Sequence, residues 1–217
     1  MNPVPKTGLK KARSRSLLFF TDDQIQKIKN AVMPRELWLC IQLLYYCFIR
    51  PGESRLLKIG DLNIQYGFIE IPAEVSKNKK TQKVSIPVPL RSSLEYLSKY
   101  PDNYYLLGFE GIPSIDPIPE KRLYHIHKRI LSNVEIYGRY SLYSWKHTGV
   151  VKAVKAGINI KDLQMQLRHH SLDMVSQVSF FDASSGCNTS VFYSQYRIGF
   201  GVRGSPCRFN ERGFKIL

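Results

Sequence analysis

Arg50 follows the longest apolar stretch of the chain, Leu37 to Ile49, and precedes Pro51-Gly52-Glu53. An arginine anchored at the end of a rigid core helix can hold out a fixed bidentate fork to a phosphate. Glu53 could orient it and Asp61 brace the turn. The same spacing suits an ordinary helix C-terminal arginine paired with Glu53, and spacing alone favours that plainer role. A second group is Ser76–Lys83, where Lys77, Lys79, Lys80 and Lys83 crowd one short segment. Lysines on a hairpin tip can reach a phosphate backbone or a groove, and one with a lowered pKa can protonate a leaving oxygen. Lysines also keep an edge hairpin from aggregating, and alone that explanation suffices. A third group, Tyr143-Ser144-Trp145-Lys146-His147-Thr148-Gly149, packs a phenol, an ammonium and an imidazole into one helical turn. A fourth is Arg168-His169-His170-Ser171, where two helices meet. Adjacent histidines point different ways on any regular element, and the metal-ligand spacings are absent, so no metal is expected. A zinc site from His147, His169 and a cysteine is disfavoured. No glycine-rich nucleotide loop or nucleophile elbow is present.

The elements that must position these groups follow from period and punctuation. Thr21-Asp22-Asp23 starts a helix with a capping hydroxyl and two acids in its first turn, and Ile25, Ile28 and Val32 share a face. Pro34 opens a second helix to about residue 49, apolar nearly all round and therefore central. Arg50-Pro51-Gly52-Glu53 breaks it, and a short helix Ser54–Lys58 follows. The period then changes. Leu62-Asn63-Ile64, Phe68-Ile69-Glu70-Ile71 and Val84-Ser85-Ile86-Pro87-Val88 read as short strands, with a turn at Tyr66-Gly67 and the basic hairpin between the second and third. Helices resume over Leu90–Lys99, Pro119–Tyr137, Leu142–Ala156, Ile160–Leu167 and Leu172–Gln177, with Gly157 and Asn159 as caps. The fold class is mainly α with a small antiparallel β-sheet, an α+β domain.

Composition bounds the rest. The chain has 217 residues, and 32 Lys plus Arg against 17 Asp plus Glu give a net charge of +15. Such an excess biases a domain toward polyanions, DNA or RNA first and an anionic membrane surface second. No apolar run is long enough for a membrane-spanning helix, and the N-terminus lacks the apolar core of a secretory signal. Cys40, Cys47, Cys187 and Cys207 form no paired framework, which suggests free thiols in a reducing, cytoplasmic setting. Residues 1–16 read as a basic, flexible lead-in and 17–177 as the folded domain. Residues 178–217 carry five glycines, eight Phe or Tyr and two cysteines without a helical stripe, and read as an atypical, poorly ordered tail.

Singly these groups are bland, but their order is not. An arginine, a β-hairpin lysine, a Lys-His turn and a helix-junction histidine, in that sequence, closely resemble the catalytic domain of tyrosine recombinases, the phage integrase family. Phe48-Ile49-Arg50-Pro51-Gly52-Glu53 through Leu57 to Asp61 is similar to the family's first-arginine box. Ser76-Lys77-Asn78-Lys79-Lys80 up to Ile86-Pro87 is similar to its lysine hairpin. Tyr143 to Gly149, with Gly157 and Ile160 downstream, resembles its His-x-x-Arg helix, and Gln166-Leu167-Arg168-His169-His170-Ser171-Leu172 its Leu-Gly-His box. The wording is closest to integrases of mobile elements.

The resemblance implies a DNA breaking-rejoining fold and site-specific recombination or integration through a 3′-phosphotyrosyl DNA intermediate. Cations and a histidine donor would stabilise the charged pentavalent phosphate, and the hairpin lysine would protonate the 5′-oxygen. No cofactor is implied, because the covalent intermediate retains the bond. Arg50 matches the first arginine; Lys77 matches the hairpin lysine best, with Lys79 next. Tyr143 stands where the family usually has His, and a phenol can still donate. Lys146 stands at the second-arginine position, keeping the charge but losing the fork. His169 matches the box histidine, and Arg168 replaces its Gly. His147 matches a position that is more often structural. Lys79, Lys80, Lys83, His147 and Arg168 are the expected DNA contacts. The implied partners are double-stranded DNA and other recombinase protomers, with neither a membrane nor a small-molecule substrate. The implied setting is the bacterial cytoplasm, on the nucleoid.

Two departures qualify the resemblance. The slot of the family's nucleophilic tyrosine is Val178, which cannot attack phosphate, and the downstream candidates Tyr193 and Tyr196 are wrongly spaced. Either a rearranged C-terminal segment delivers one of them, even to a neighbouring protomer, or a frameshift replaced the ending; the abrupt change of composition favours the frameshift. The family's N-terminal core-binding domain is also expected to be absent. The alternatives are a non-catalytic duplex-binding module of the same fold, or an unrelated basic protein that binds structured RNA.

Overall fold

Thr21 closes a reciprocal capping box on the first helix. Its hydroxyl oxygen accepts from the Gln24 amide at 3.3 Å, and the Gln24 side chain accepts from the Thr21 N–H at 3.0 Å. The computed structural model describes residues 18–168. Helix α1 is Asp22–Asn30 and helix α2 is Arg35–Tyr46. Leu37, Leu39, Cys40, Ile41, Leu43 and Leu44 of α2 are all buried, as its apolar composition requires. Cys40 and Cys47 are free thiols, and burial pushes the Cys40 thiol up to about 12.

The expected break at Arg50–Glu53 is instead the start of helix α3, Pro51–Leu56. Arg50 is its N-cap and Pro51 occupies the first turn, where a missing N–H costs nothing. Arg50 therefore sits at the positive end of a short helix, not at the C-terminus of a long one.

Strands β1 (Leu62–Asn63), β2 (Phe68–Ile71) and β3 (Gln82–Ser85) form an antiparallel sheet in that order. Ile69 pairs with Val84 and Glu70 with Lys83. The turn before β2 needs Gly67, whose φ is +71° and where a Cβ would lie 2.1 Å from the Arg91 guanidinium. Two expectations shift here. Ile64 falls outside β1, and Ile86-Pro87-Val88 does not extend β3. Proline cannot donate to a ladder, and Pro87 instead caps helix α4, Val88–Leu94, which continues as a 3-10 turn over Glu95–Lys99.

Helices α5 (Arg122–Asn133), α6 (Tyr143–Lys155) and α7 (Ile160–Leu167) complete the described fold. The expected helix 119–137 is trimmed at both ends. Gly157, at φ +72°, ends α6, and the Asn159 side chain caps α7 by accepting from the Lys161 N–H at 2.8 Å. The expected helix Leu172–Gln177 lies outside the described residues. Among those residues, no helix is long and apolar enough to cross a membrane.

Helix α6 crosses α2 at Gly149 and buries Trp145 among α2, α5 and Phe20. The Trp145 indole donates to His127 Nε2 at 3.0 Å, and the Phe20 ring lies 4.6 Å from the Trp145 ring. Burial lowers the His127 pKa from 6.5 to about 4. The folded state thus favours neutral imidazole, whose bare nitrogen accepts the indole proton. That stability is complete above pH 6.5 and falls as the pH drops toward 4; His147, lowered to about 4 by burial and by Lys146, adds to it. Thermal melts are expected to decline as the pH falls below 6.5, before carboxylates titrate near pH ~4. In His127→Asn the decline should be shallower. A melting temperature that stays flat through this window in the parent would contradict the assignment.

Candidate functional site

Glu53 is the hub of the site. It lies in the first turn of α3 with a side chain only 3% exposed, and both carboxylate oxygens are occupied. Its Oε1 accepts from the Arg50 guanidinium at 2.7 Å and from the Lys77 backbone N–H at 3.3 Å. Its Oε2 accepts from Arg168 Nη2 at 2.7 Å and from the Arg50 backbone N–H at 3.0 Å. Burial alone would raise this carboxyl. The bonds and charge of Arg168, and then those of Arg50, outweigh it and hold the group down at about 2. One buried carboxylate therefore ties together α3, the hairpin and the end of α7.

Lys146 closes the group from α6. It is fully buried, and its Nζ has no hydrogen-bond partner among the described residues. Burial lowers its pKa to about 7, helped by the charges of Arg50 and Arg168 and opposed by Glu53. An ammonium in that position is repelled by two guanidinium groups, so an incoming anion would meet an unmet demand. Three cations surround one carboxylate, and the local excess is positive.

Tyr143 lies three residues before Lys146 and four before His147 on α6, within one turn of each. The Tyr143 ring is edge-on to His147 at 4.9 Å, with the Lys146 Nζ 5.9 Å from its centroid. Lys77 reaches Glu53 through its backbone while its side chain is exposed. Lys79 and Lys80 are exposed at the hairpin tip, Lys79 with φ +55°. Lys83 is not on the tip but inside β3, 3.4 Å from Glu70 and over the Phe68 ring. His169, Tyr193 and Tyr196 lie outside the described residues.

Two glutamines of the quoted segments have a role that the sequence reading did not assign. Gln166 of α7 bonds the backbone of Ser85 in both directions, donating to its carbonyl at 2.8 Å and accepting from its N–H at 3.0 Å. Gln82 of β3 accepts from Ser76 at 3.4 Å and lies 3.5 Å from Arg168 Nη1. These amides fasten α7 to the foot of the hairpin, and nothing in residue type or spacing distinguishes them from surface glutamines.

Residues 9–178 match the model of the phage integrase family. The chain belongs to that family. All four integrase boxes fall within the matched span, which ends at Val178. A tyrosine recombinase from Pseudothermotoga lettingae is 28% identical over 180 residues, covering 81% of this chain and 60% of that protein. Tyrosine recombinase XerA from Pyrococcus furiosus is 26% identical over 159 residues, covering 70% of this chain and 53% of XerA. The chain thus spans 53–60% of the length of these curated relatives. Among solved structures, XerH recombinase bound to a palindromic difH substrate superposes with a TM-score of 0.62 at 19% identity, over 81% of this chain and 53% of XerH. The integrase fold, mainly helical with a small antiparallel sheet, is therefore the one the sequence pattern predicts.

Proposed function

We propose that this integrase-family chain is the DNA-engaging catalytic domain of a site-specific recombinase of a mobile element, and that the Glu53 cluster receives a DNA phosphodiester. The observation that carries the reading is the buried ammonium of Lys146, without a hydrogen-bond partner among the described residues, beside Arg50 and Arg168. Preorganised cations of this kind stabilise charge that develops on the non-bridging oxygens of an attacked phosphate. Arg50 and Lys146 supply that charge, and Tyr143 and His169 are donors to the same phosphate. Lys77, at the foot of the hairpin, gives its proton to the departing 5′-oxygen as a tyrosine oxygen takes its place on phosphorus. The transferred bond is conserved in the phosphotyrosyl link, so no cofactor enters the step.

Lys79, Lys80 and Lys83 extend the positive surface along the duplex backbone, and His147 packs beside the site. Helix α5 and its N-cap Lys121 add an exposed basic face with His125, Lys128 and Arg129. Further protomers would join on the DNA, in the bacterial cytoplasm. Val178 favours a second reading, in which the same fold holds duplex without cutting it.

The test is incubation with nicked suicide duplexes of randomised sequence, followed by a denaturing gel. A covalent protein–DNA adduct, lost on Tyr193→Phe or Tyr196→Phe, supports the catalytic reading. Salt-sensitive duplex binding without adduct supports the binding module. Preference for structured RNA over duplex would overturn both.

A further inference from the structure

We infer that the Glu53 cluster carries its second guanidinium on Arg168, held beside Arg50 by Glu53, with Lys146 as the adjacent third cation; this rests on the phosphate reading above. Arg168 is the C-cap of α7 and adopts a left-handed conformation, φ +56° and ψ +37°. That conformation strains most side chains and suits glycine. The strained residue nonetheless buries a charged side chain, 2% exposed, to reach a carboxylate that Arg50 already pairs with at 2.7 Å. Its Nη1 faces Gln82 at 3.5 Å, and its Nε is buried with no partner among the described residues. A helix end needs none of this to terminate. What the placement achieves is a second fixed positive charge on the other carboxylate oxygen of Glu53, which opposes any collapse of the Lys146 ammonium onto that carboxylate. Among the described residues Lys146 stays unpaired, and it is available to an anion. Arg168 is thus a positioning residue that acts through Glu53 and Lys146.

The experiment compares the parent with Arg168→Gly, Arg168→Lys, the double variant Lys146→Arg/Arg168→Gly, and Arg50→Ala. Each is measured for affinity toward a random-sequence duplex at low salt. The parent and the Arg168 variants that retain Lys146 are also measured for titration of the Lys146 amine by NMR of its ε-carbon. The groups facing that amine are Arg50, Arg168, Glu53, Tyr143 and His147. Arg168→Gly also relieves the left-handed backbone, so it should fold; it is expected to weaken duplex binding about tenfold and to move the Lys146 titration upward. Arg168→Lys should keep the titration near the parental one. The double variant moves the guanidinium to position 146 and should restore affinity to within about threefold.

Parental affinity and parental Lys146 titration in Arg168→Gly, with weakened binding in Arg50→Ala, would overturn this inference alone. Parental binding in Arg50→Ala as well would overturn the phosphate reading beneath it. Should Arg168→Gly fail to fold, Arg168→Lys decides: a Lys146 titration as far displaced as in a charge loss would overturn the inference.

Discussion

Glu53→Gln is expected to lower the melting temperature more than any other single substitution in the site. The carboxylate is 3% exposed and meets two guanidinium groups at 2.7 Å. Removing its charge leaves Arg50, Arg168 and the buried Lys146 facing one another with no counter-ion among the described residues. Breaking a buried pair in this way costs about 3–5 kcal/mol, because the uncompensated charge remains in a poorly solvated place. At roughly 2–4 °C per kcal/mol for a chain of this size, the melt should fall by roughly 6–20 °C. The same change should push the Lys146 pKa further down, since Glu53 is the group that raises it. A melt within about 2 °C of the parent would show that the carboxylate is not the hub.

Gly149→Ala is the second large effect, and its cause is steric. Where α6 crosses α2, a Cβ at position 149 would lie 2.1 Å from the Tyr45 carbonyl oxygen and 3.0 Å from the Phe48 ring. The nearer obstacle is backbone and cannot rotate away. Alanine is the better helix former by about 1 kcal/mol, so propensity alone would make the variant more stable. Overpacking of a tight helix crossing costs about 1–3 kcal/mol and occasionally more, and this contact belongs at the upper end. Lys146 sits three residues before the crossing, so displacing α6 also draws the ammonium from Glu53. Loss of stability and loss of duplex affinity should therefore appear together. A variant that melts at or above the parental temperature would contradict the close approach.

The fold was legible where local chemistry decides it. Thr21, Pro34, Gly157 and Asn159 mark helix ends through their own side chains or backbone freedom, and the structure has ends there. The apolar run of α2 announced the central helix. Misreadings arose where a proline has two uses. Pro51 and Pro87 each begin a helix, whereas the pattern alone read one as a break and the other as part of a strand. In the site, Arg50 with Glu53 was readable from a spacing of three residues. The partnership of Arg168 with Glu53 was not, because 115 positions separate them and only tertiary packing joins them. Lys146 was singled out by residue type, but its burial is a property of the α2–α6 crossing.

The most direct test of the phosphate site is duplex affinity as a function of salt for the parent and Arg50→Ala, with a melt of each protein. Glu53 retains Arg168 and the Lys77 N–H when Arg50 is truncated, so the variant should still unfold cooperatively. Its affinity should drop about tenfold, and the slope of log affinity against log salt should become shallower by about one unit, as expected for one lost phosphate contact. A folded Arg50→Ala protein with the parental affinity and slope would show that DNA phosphate does not enter the cluster.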